Sequence, residues 1–154
     1  MKYPEIGQVT KQYWTDDDFL YLDTTKSIRE VCDFALQIID RMPDDVAQVC
    51  GPITSGGKGS IEANLEYLNF SIQEAQKKGL HIFDQMPFEQ TLHRILREQT
   101  DAENKESILF DFYEPLFESK KIKKLYFVPD WESSHGANWE YKKAKELGME
   151  IGFL

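Results

Sequence analysis

The sequence has no long apolar run and only two cysteines among its 154 residues. It has no window of about 18 apolar residues, and its start lacks the apolar segment of a secretory signal, so we expect a soluble cytoplasmic protein without a membrane partner. Cys32 and Cys50 form neither a CxxC pair nor a cluster with histidine. They are therefore predicted to be reduced core thiols, and neither a disulfide framework, a metal site nor a cofactor is indicated.

Basic charge is also scarce, since 18 Lys and Arg face 27 Asp and Glu and the net charge is -9. Such a field repels a polyanion, so no nucleic-acid polymer is expected as a partner. A small phosphate-bearing ligand stays open, because backbone N–H groups at a helix N-terminus hold a phosphate whatever the overall charge. The basic run from Lys120 to Lys124 is interpreted as a solvated loop or helix end.

What the chain has is a 41% hydrophobic and 13% aromatic composition, enough for the core of one domain. Residues 1–23 show no clear periodicity and are interpreted as an irregular arm. From Thr24 to Met42 apolar residues recur at helical spacing, and Pro43 closes that amphipathic helix. The first unit is therefore residues 1–45, an arm plus a helix, and the second is residues 46–154.

Residues 46–154 are predicted to alternate strands with helices. The strands are residues 46–50, 80–83, 125–128 and 149–153. The helices follow Ser60, open at Pro87, span Ile108 to Glu118 and run from Ala137 to Leu147, with a charged loop at 101–105. This order predicts an α/β fold, a doubly wound, flavodoxin-like parallel sheet of four to five strands with helices on both faces. Ligands of such sheets bind beyond the carboxyl ends of the strands.

Two loops follow predicted strands and should meet at that edge. The first, Gly51-Pro-Ile-Thr-Ser-Gly-Gly-Lys-Gly59, allows sharp turns before a helix N-terminus, where a phosphate or sugar fits. It misses the P-loop pattern by one residue, which argues against a nucleotide triphosphatase. The alternative is a flexible strand-to-helix connection without a ligand.

The second loop begins Asp130-Trp-Glu-Ser-Ser-His-Gly-Ala-Asn-Trp-Glu140. Its serines and His135 are polar, Gly136 permits close approach, and Glu140 lies in the first turns of a helix. A carboxylate there, beside the positive helix end, is favoured in its ionised, nucleophilic form. The alternative is a glutamate that serves only the helix dipole, and His135 alone is more typical of a polar loop than of a catalyst.

The two loops together, Cys50-Gly-Pro-Ile-Thr-Ser-Gly-Gly-Lys58 and Pro129 to Glu140, resemble the nucleoside 2-deoxyribosyltransferase superfamily, and most of all its nucleoside 5′-monophosphate N-glycosidase branch. The resemblance covers residues 46–154. It implies that Glu140 attacks the anomeric carbon and forms a glycosyl intermediate, while a second acid assists departure of the base. It also implies a set of residues that hold the sugar or 5′-phosphate or line the pocket: Gly51, Ile53, Gly56, Gly57, Ser134, Gly136 and Asn138.

The sequence departs from that family in three places. A family tyrosine is replaced by Gln48 or Val49, and the family's helical aspartate has only Asp111 or Glu114 as candidates, of which Asp111 is the predicted second catalytic residue. The sequence ends at Leu154 without the extension that completes a neighbouring subunit's site in the transferases, which favours a hydrolase or a binder.

The resulting hypothesis is an N-glycosidase or deoxyribosyltransferase-like enzyme that acts on a small-molecule nucleoside or nucleoside 5′-monophosphate. Relatives are commonly homo-oligomers, so a homo-oligomer is expected. The alternatives are a non-catalytic nucleotide-binding or sensing module on the same scaffold, and an interaction domain that works through the aromatic arm at residues 1–23.

Overall fold

The fold is α/β, with three parallel strands in one open sheet. The computed structural model describes residues 2–99 and 107–154. Its elements are, in chain order, helices Gln8–Lys11 (α1), Asp16–Thr24 (α2) and Ile28–Asp40 (α3), strand Ala47–Cys50 (β1), helices Ile61–Lys77 (α4) and Met86–Glu98 (α5), a π-helix Ile108–Tyr113, helix Glu114–Glu118 (α6), strand Lys124–Phe127 (β2), a 3-10 turn Trp131–Ser133, helix His135–Leu147 (α7) and strand Glu150–Phe153 (β3).

The strands lie in the order β1-β2-β3, and the last residues of β1 and β2, Cys50 and Phe127, stand opposite each other. The predicted strand at 80–83 is reduced to a single parallel bridge between Ile82 and Ala47. It stops there because the chain turns into α5 at Met86, and the Gln85 side-chain amide donates to the Val49 carbonyl at 2.7 Å, where the ladder would have continued. The described residues thus contain three strands and one bridge where four to five strands were predicted.

Apolar residues on the two faces of the sheet belong to two separate clusters. Alternate side chains of a strand point to opposite faces, and Cys50 and Phe127 join a larger cluster with residues of α3, α5, the π-helix and α6. Val49 and Val128 join a smaller one with α4, through Leu65, Leu68 and Ile72. Helices therefore pack against both faces of β1 and β2.

The prediction of an irregular arm at residues 1–23 is wrong, because this segment contains the helices α1 and α2. Helix α2 begins with a reciprocal cap, in which Asp18 N donates to Thr15 Oγ1 at 3.3 Å and Thr15 N donates to Asp18 Oδ2 at 2.7 Å. Trp14 is buried in the larger cluster, and Arg41 pairs with the Asp18 carboxylate at 2.6 Å. The sequence did not indicate α2, because this helix begins at a capping box and has no continuous stripe of apolar residues.

The other predicted helices are present at shifted bounds. The segment from Ile108 opens as a π-helix and becomes regular only at Glu114. The predicted charged loop at 101–105 lies outside the described residues. No helix in the described ranges combines the length and the apolar character needed to cross a bilayer.

A buried polar chain fastens α1 to the end of the bridge segment. Gln76 Nε2 donates to Thr10 Oγ1 at 3.0 Å, and that hydroxyl donates to Asp84 Oδ2 at 2.8 Å. Asp84 also accepts from Met86 N at 2.9 Å, and burial raises the pKa of its carboxyl. Because all these groups are removed from water, the loss of one donor leaves an unpaired polar group in the interior.

We expect Thr10→Val to lower the free energy of unfolding by about 1–3 kcal/mol, the usual result of leaving a buried acceptor unpaired. Urea unfolding at neutral pH measures it. Thr24→Val is the matched control, because the exposed Thr24 hydroxyl bonds only to carbonyls of its own helix, and a shift within about 0.5 kcal/mol is expected there. Equal shifts in the two variants would contradict a role for the buried chain.

Candidate functional site

A cavity of about 690 Å³ opens beyond the carboxyl ends of β1 and β2. That volume lies within the range of about 300–1,000 Å³ typical of small-molecule sites. Its wall is apolar at Ile53, Ile61, Leu96, Ile108 and Leu109, and polar along α5 and at the start of α7. It is therefore placed where a parallel sheet presents a ligand to the loops that follow its strands.

Asn64, on the second turn of α4, holds the glycine loop that forms one rim. Its Oδ1 accepts from Lys58 N at 2.7 Å, and its Nδ2 donates to the carbonyls of Ile53 and Gly56, both at 3.0 Å. Gly57 sits beneath it with φ +71°, a conformation that side chains disfavour, and a Cβ there would overlap Asn64 Oδ1. These contacts give the glycine loop a defined conformation, in contrast to the flexible connection that was the alternative.

The two loops meet, as the parallel arrangement predicts. Gly57 N donates to Ser133 Oγ at 2.9 Å, and His135 N donates to Ser55 Oγ at 3.1 Å. Ser134 caps α7 by accepting from Ala137 N at 3.1 Å. These bonds close one end of the cavity and aim the first turn of α7 into it.

Glu140 projects from that first part of α7 and is 8% exposed. Gln48 Nε2 donates to its Oε2 at 3.0 Å, and Cys50 Sγ donates to the same oxygen at 3.4 Å. Both donors stand on the same face of β1. They engage Oε2, and the Glu140 residue borders the cavity.

Burial raises the pKa of Glu140 from 4.5 to about 8. The Cys50 and Gln48 hydrogen bonds lower that pKa and the nearby Glu89 carboxyl raises it, but the loss of hydration dominates. Burial also raises the pKa of the Cys50 thiol well above its usual value, with the Glu140 charge adding to the rise. A pKa of about 8 favours the protonated form of Glu140 at neutral pH, whereas the sequence favoured an ionised group beside a helix end.

The structure brings five of the predicted site residues to the cavity wall: Gly51, Ile53, Ser134, Gly136 and Glu140. Four others lie elsewhere. Gly56 and Gly57 shape the rim, and the Asn138 amide donates to the carbonyls of Glu132 and Ser134 at 2.8 and 2.7 Å. Asp111, the predicted second catalytic residue, is exposed on the π-helix and is not among the residues of the cavity wall. Glu114 instead pairs with Lys143 at 3.1 Å.

The second carboxyl of the cavity comes from α5 and was missed in the sequence. Four cavity residues recur every fourth position along that helix: Gln85, Glu89, His93 and Arg97. Side chains four apart lie on one helix face, and this face is otherwise lined by Leu92 and Leu96. A carboxyl side chain on the same helix face as Leu92 and Leu96 was the signal available in the sequence.

Gln85 adds an acceptor with a fixed direction. Its Nε2 is committed to the Val49 carbonyl, so its Oε1 cannot exchange places with the nitrogen without losing that bond. The residue is 2% exposed, borders the cavity, and its Oε1 has no hydrogen-bond partner among the described residues. Buried acceptors are normally paired, so this oxygen is an exception in the cavity wall, and it is itself shielded from solvent.

No family model matches the chain, and no curated protein or solved structure matches it either. The resemblance to the nucleoside 2-deoxyribosyltransferases therefore depends on the two loops alone. Among the described residues, no group of three or more His, Cys, Asp and Glu side chains is placed to hold a metal ion. The site is thus characterised by its own geometry, which is that of a buried carboxyl pair in a half-apolar cavity.

The raised pKa of Glu140 predicts a pH-dependent stability. The folded value of about 8 lies above the unfolded 4.5, so stability is fully present below pH 4.5 and falls as pH rises toward 8. The neutral variant Glu140→Gln escapes this loss. Relative to the wild type it should gain stability between pH 5 and pH 9, by at most about 5 kcal/mol, as one pKa unit is about 1.4 kcal/mol.

Melting temperatures across that pH range measure the effect. Glu146→Gln is the control, because Glu146 is an exposed glutamate on the same helix, and its difference from the wild type should not change with pH. Parallel curves for the wild type and Glu140→Gln would show that the Glu140 carboxyl is not desolvated.

Proposed function

We propose that the protein cleaves the N-glycosidic bond of a nucleoside or nucleoside 5′-monophosphate, as an N-glycosidase or deoxyribosyltransferase-like enzyme with Glu140 as the nucleophile. One observation carries this proposal: a buried carboxyl, held by two donors on one oxygen, faces a cavity of about 690 Å³ that contains a second carboxyl, Glu89. Glycosidic cleavage needs one carboxylate at the anomeric carbon and an acid that assists the leaving group, and the side of the cavity around Glu89 can supply that acid.

The chemistry suits the arrangement of Glu140. Bonds from Gln48 and Cys50 fix Oε2, and Oε1 is then free to approach an anomeric carbon. With a pKa of about 8, part of the Glu140 population is ionised at pH 7 and can act as a nucleophile. A developing positive charge on the sugar favours the ionised form further, because opposite charges attract strongly in a cavity shielded from water.

The proposal extends to the fold and the ligand. If the bridge at Ile82 counts as a short strand, the strand order becomes this segment, β1, β2, β3, the order of a doubly wound, flavodoxin-like sheet. The chain then leaves β1 on one side and returns on the other, so the cavity lies at a topological switch point. The volume of about 690 Å³ supports a ligand of the size of a nucleoside or its 5′-monophosphate.

Purified protein should release free base from at least one member of a panel of ribo- and deoxyribonucleosides and their 5′-monophosphates, as followed by chromatography. Glu140→Gln should lower that rate by at least about 100-fold, the lower range for a positioned catalytic side chain. Glu146→Gln, on the same helix but exposed, should retain it. Full activity in Glu140→Gln would refute Glu140 as the nucleophile, and no base release across the panel would refute the proposed activity.

A second candidate is a nucleotide-binding or sensing module without turnover. The observation in its favour is the burial of Glu140, because burial raises the pKa of the carboxyl to about 8 and so favours a hydrogen-bond donor over a nucleophile. A nucleotide that raises the melting temperature and is recovered intact would support this module, because a ligand that binds only the native state stabilises it by mass action.

A further inference from the structure

Three cavity residues, Glu89, His93 and Tyr113, form a hydrogen-bonded cluster, and its central member is the second carboxyl named above. Glu89 is 3% exposed and has both carboxyl oxygens engaged. Tyr113 Oη donates to its Oε1 at 2.6 Å, and the His93 ring meets its Oε2 through Nε2 at 3.1 Å. Glu89 and His93 are one helical turn apart on α5, while Tyr113 comes from the π-helix.

The hydrogen bonds of the cluster are satisfied when Glu89 accepts at both oxygens. Burial raises the pKa of Tyr113 well above its usual value, and the adjoining Glu89 carboxyl raises it further, so the phenol stays neutral and donates. Glu89 therefore accepts at one oxygen from Tyr113 and at the other from the ring. With Glu89 as the acceptor, the ring proton is assigned to Nε2, which leaves Nδ1 as the nitrogen that exchanges a proton with another molecule.

Exposure separates the roles within the cluster. The His93 side chain is 23% exposed and that of Glu89 only 4%. With both oxygens occupied, Glu89 orients and offers charge to the ring, and His93 is the member that meets a ligand. A carboxylate behind an imidazole fixes the ring and stabilises its cationic form.

We propose that His93 is the general acid that protonates the base as it leaves, with Glu89 as its positioning residue. The inference depends on the proposed glycosidase. His93 on α5 and Glu140 on α7 border the same cavity from different helices, so a bound nucleoside meets the nucleophile and the proton donor from two sides. It moves the second catalytic role from Asp111, which is exposed on the π-helix, to α5.

The step balances as follows. Glu140 Oε1 bonds to the anomeric carbon while the bond from that carbon to the base breaks, and the electron pair of the broken bond stays on the base. The proton on His93 Nδ1 passes to the base, which leaves neutral. Water then attacks the anomeric carbon, its proton returns to His93 Nδ1, and Glu140 departs as a carboxylate.

Leaving-group dependence tests this assignment. The substrate that the panel identifies is compared with an analogue whose base needs less protonation to depart, the 7-methyl derivative of a purine or the 5-fluoro derivative of a pyrimidine. His93→Gln should lower base release from the ordinary substrate by about 100-fold or more. On the activated analogue its loss should be at least about tenfold smaller, because the missing proton matters less.

Control variants separate this role from a structural one. Glu140→Gln should lose activity on both substrates to the same extent, since the nucleophile is needed for each. Glu89→Gln should show a smaller loss with the same leaving-group dependence as His93→Gln, while His81→Gln, a histidine that pairs with Asp45 outside the cavity, should match the wild type. His93→Asn repeats the test should the glutamine variant be unstable by its melting temperature.

The general-acid assignment is overturned if the His93 variants lose equal activity on the two substrates, or lose none. The proposed glycosidase still stands in that case, provided that the wild type releases base and Glu140→Gln does not. If the wild type releases no base from either substrate, the glycosidase and the general acid are both refuted.

Discussion

The parallel pairing of β1 with β2 is the constraint from which the site follows. Cys50 and Phe127 end their strands side by side, so the glycine loop and the loop before α7 must leave the sheet at the same place. The hydrogen bonds between Ser133 and Gly57 and between Ser55 and His135 are then short-range consequences of that pairing. The same pairing carries Glu140 over the end of β1, where Gln48 and Cys50 reach its carboxyl.

Features that local chemistry determines were predictable from the sequence. The parallel α/β arrangement, the strand ends and the two loops follow from turn residues and apolar spacing, and Glu140 lies at the cavity as its place near a helix start suggested. A full strand was predicted at 80–83, because the apolar residues of this segment do not reveal that the Gln85 side chain donates to the Val49 carbonyl. The arm was misread because a capping box, and not periodicity, starts α2.

Features that depend on distant partners were not predictable. The pKa of Glu140 reflects its burial in the fold and the nearby Glu89 carboxyl of α5, neither of which a single sequence gives, so the expectation of an ionised carboxylate stands against a value of about 8. Cys50 was expected to be only a core thiol, yet it contacts Glu140 across 90 positions of sequence. Glu89 acquires meaning only when Tyr113 and His93 are placed around it.

The hydrogen bonds from Asn64 make the glycine loop and the start of α4 a transferable unit. All three of its hydrogen bonds end on loop backbone between Ile53 and Lys58, and the residue that makes them belongs to the helix that follows. A graft of residues 51–64 into another parallel sheet would carry its own scaffold, whereas a graft of the loop alone would lose its shape. In a chimaera, the boundary of this module is therefore the second turn of α4 and not the loop end.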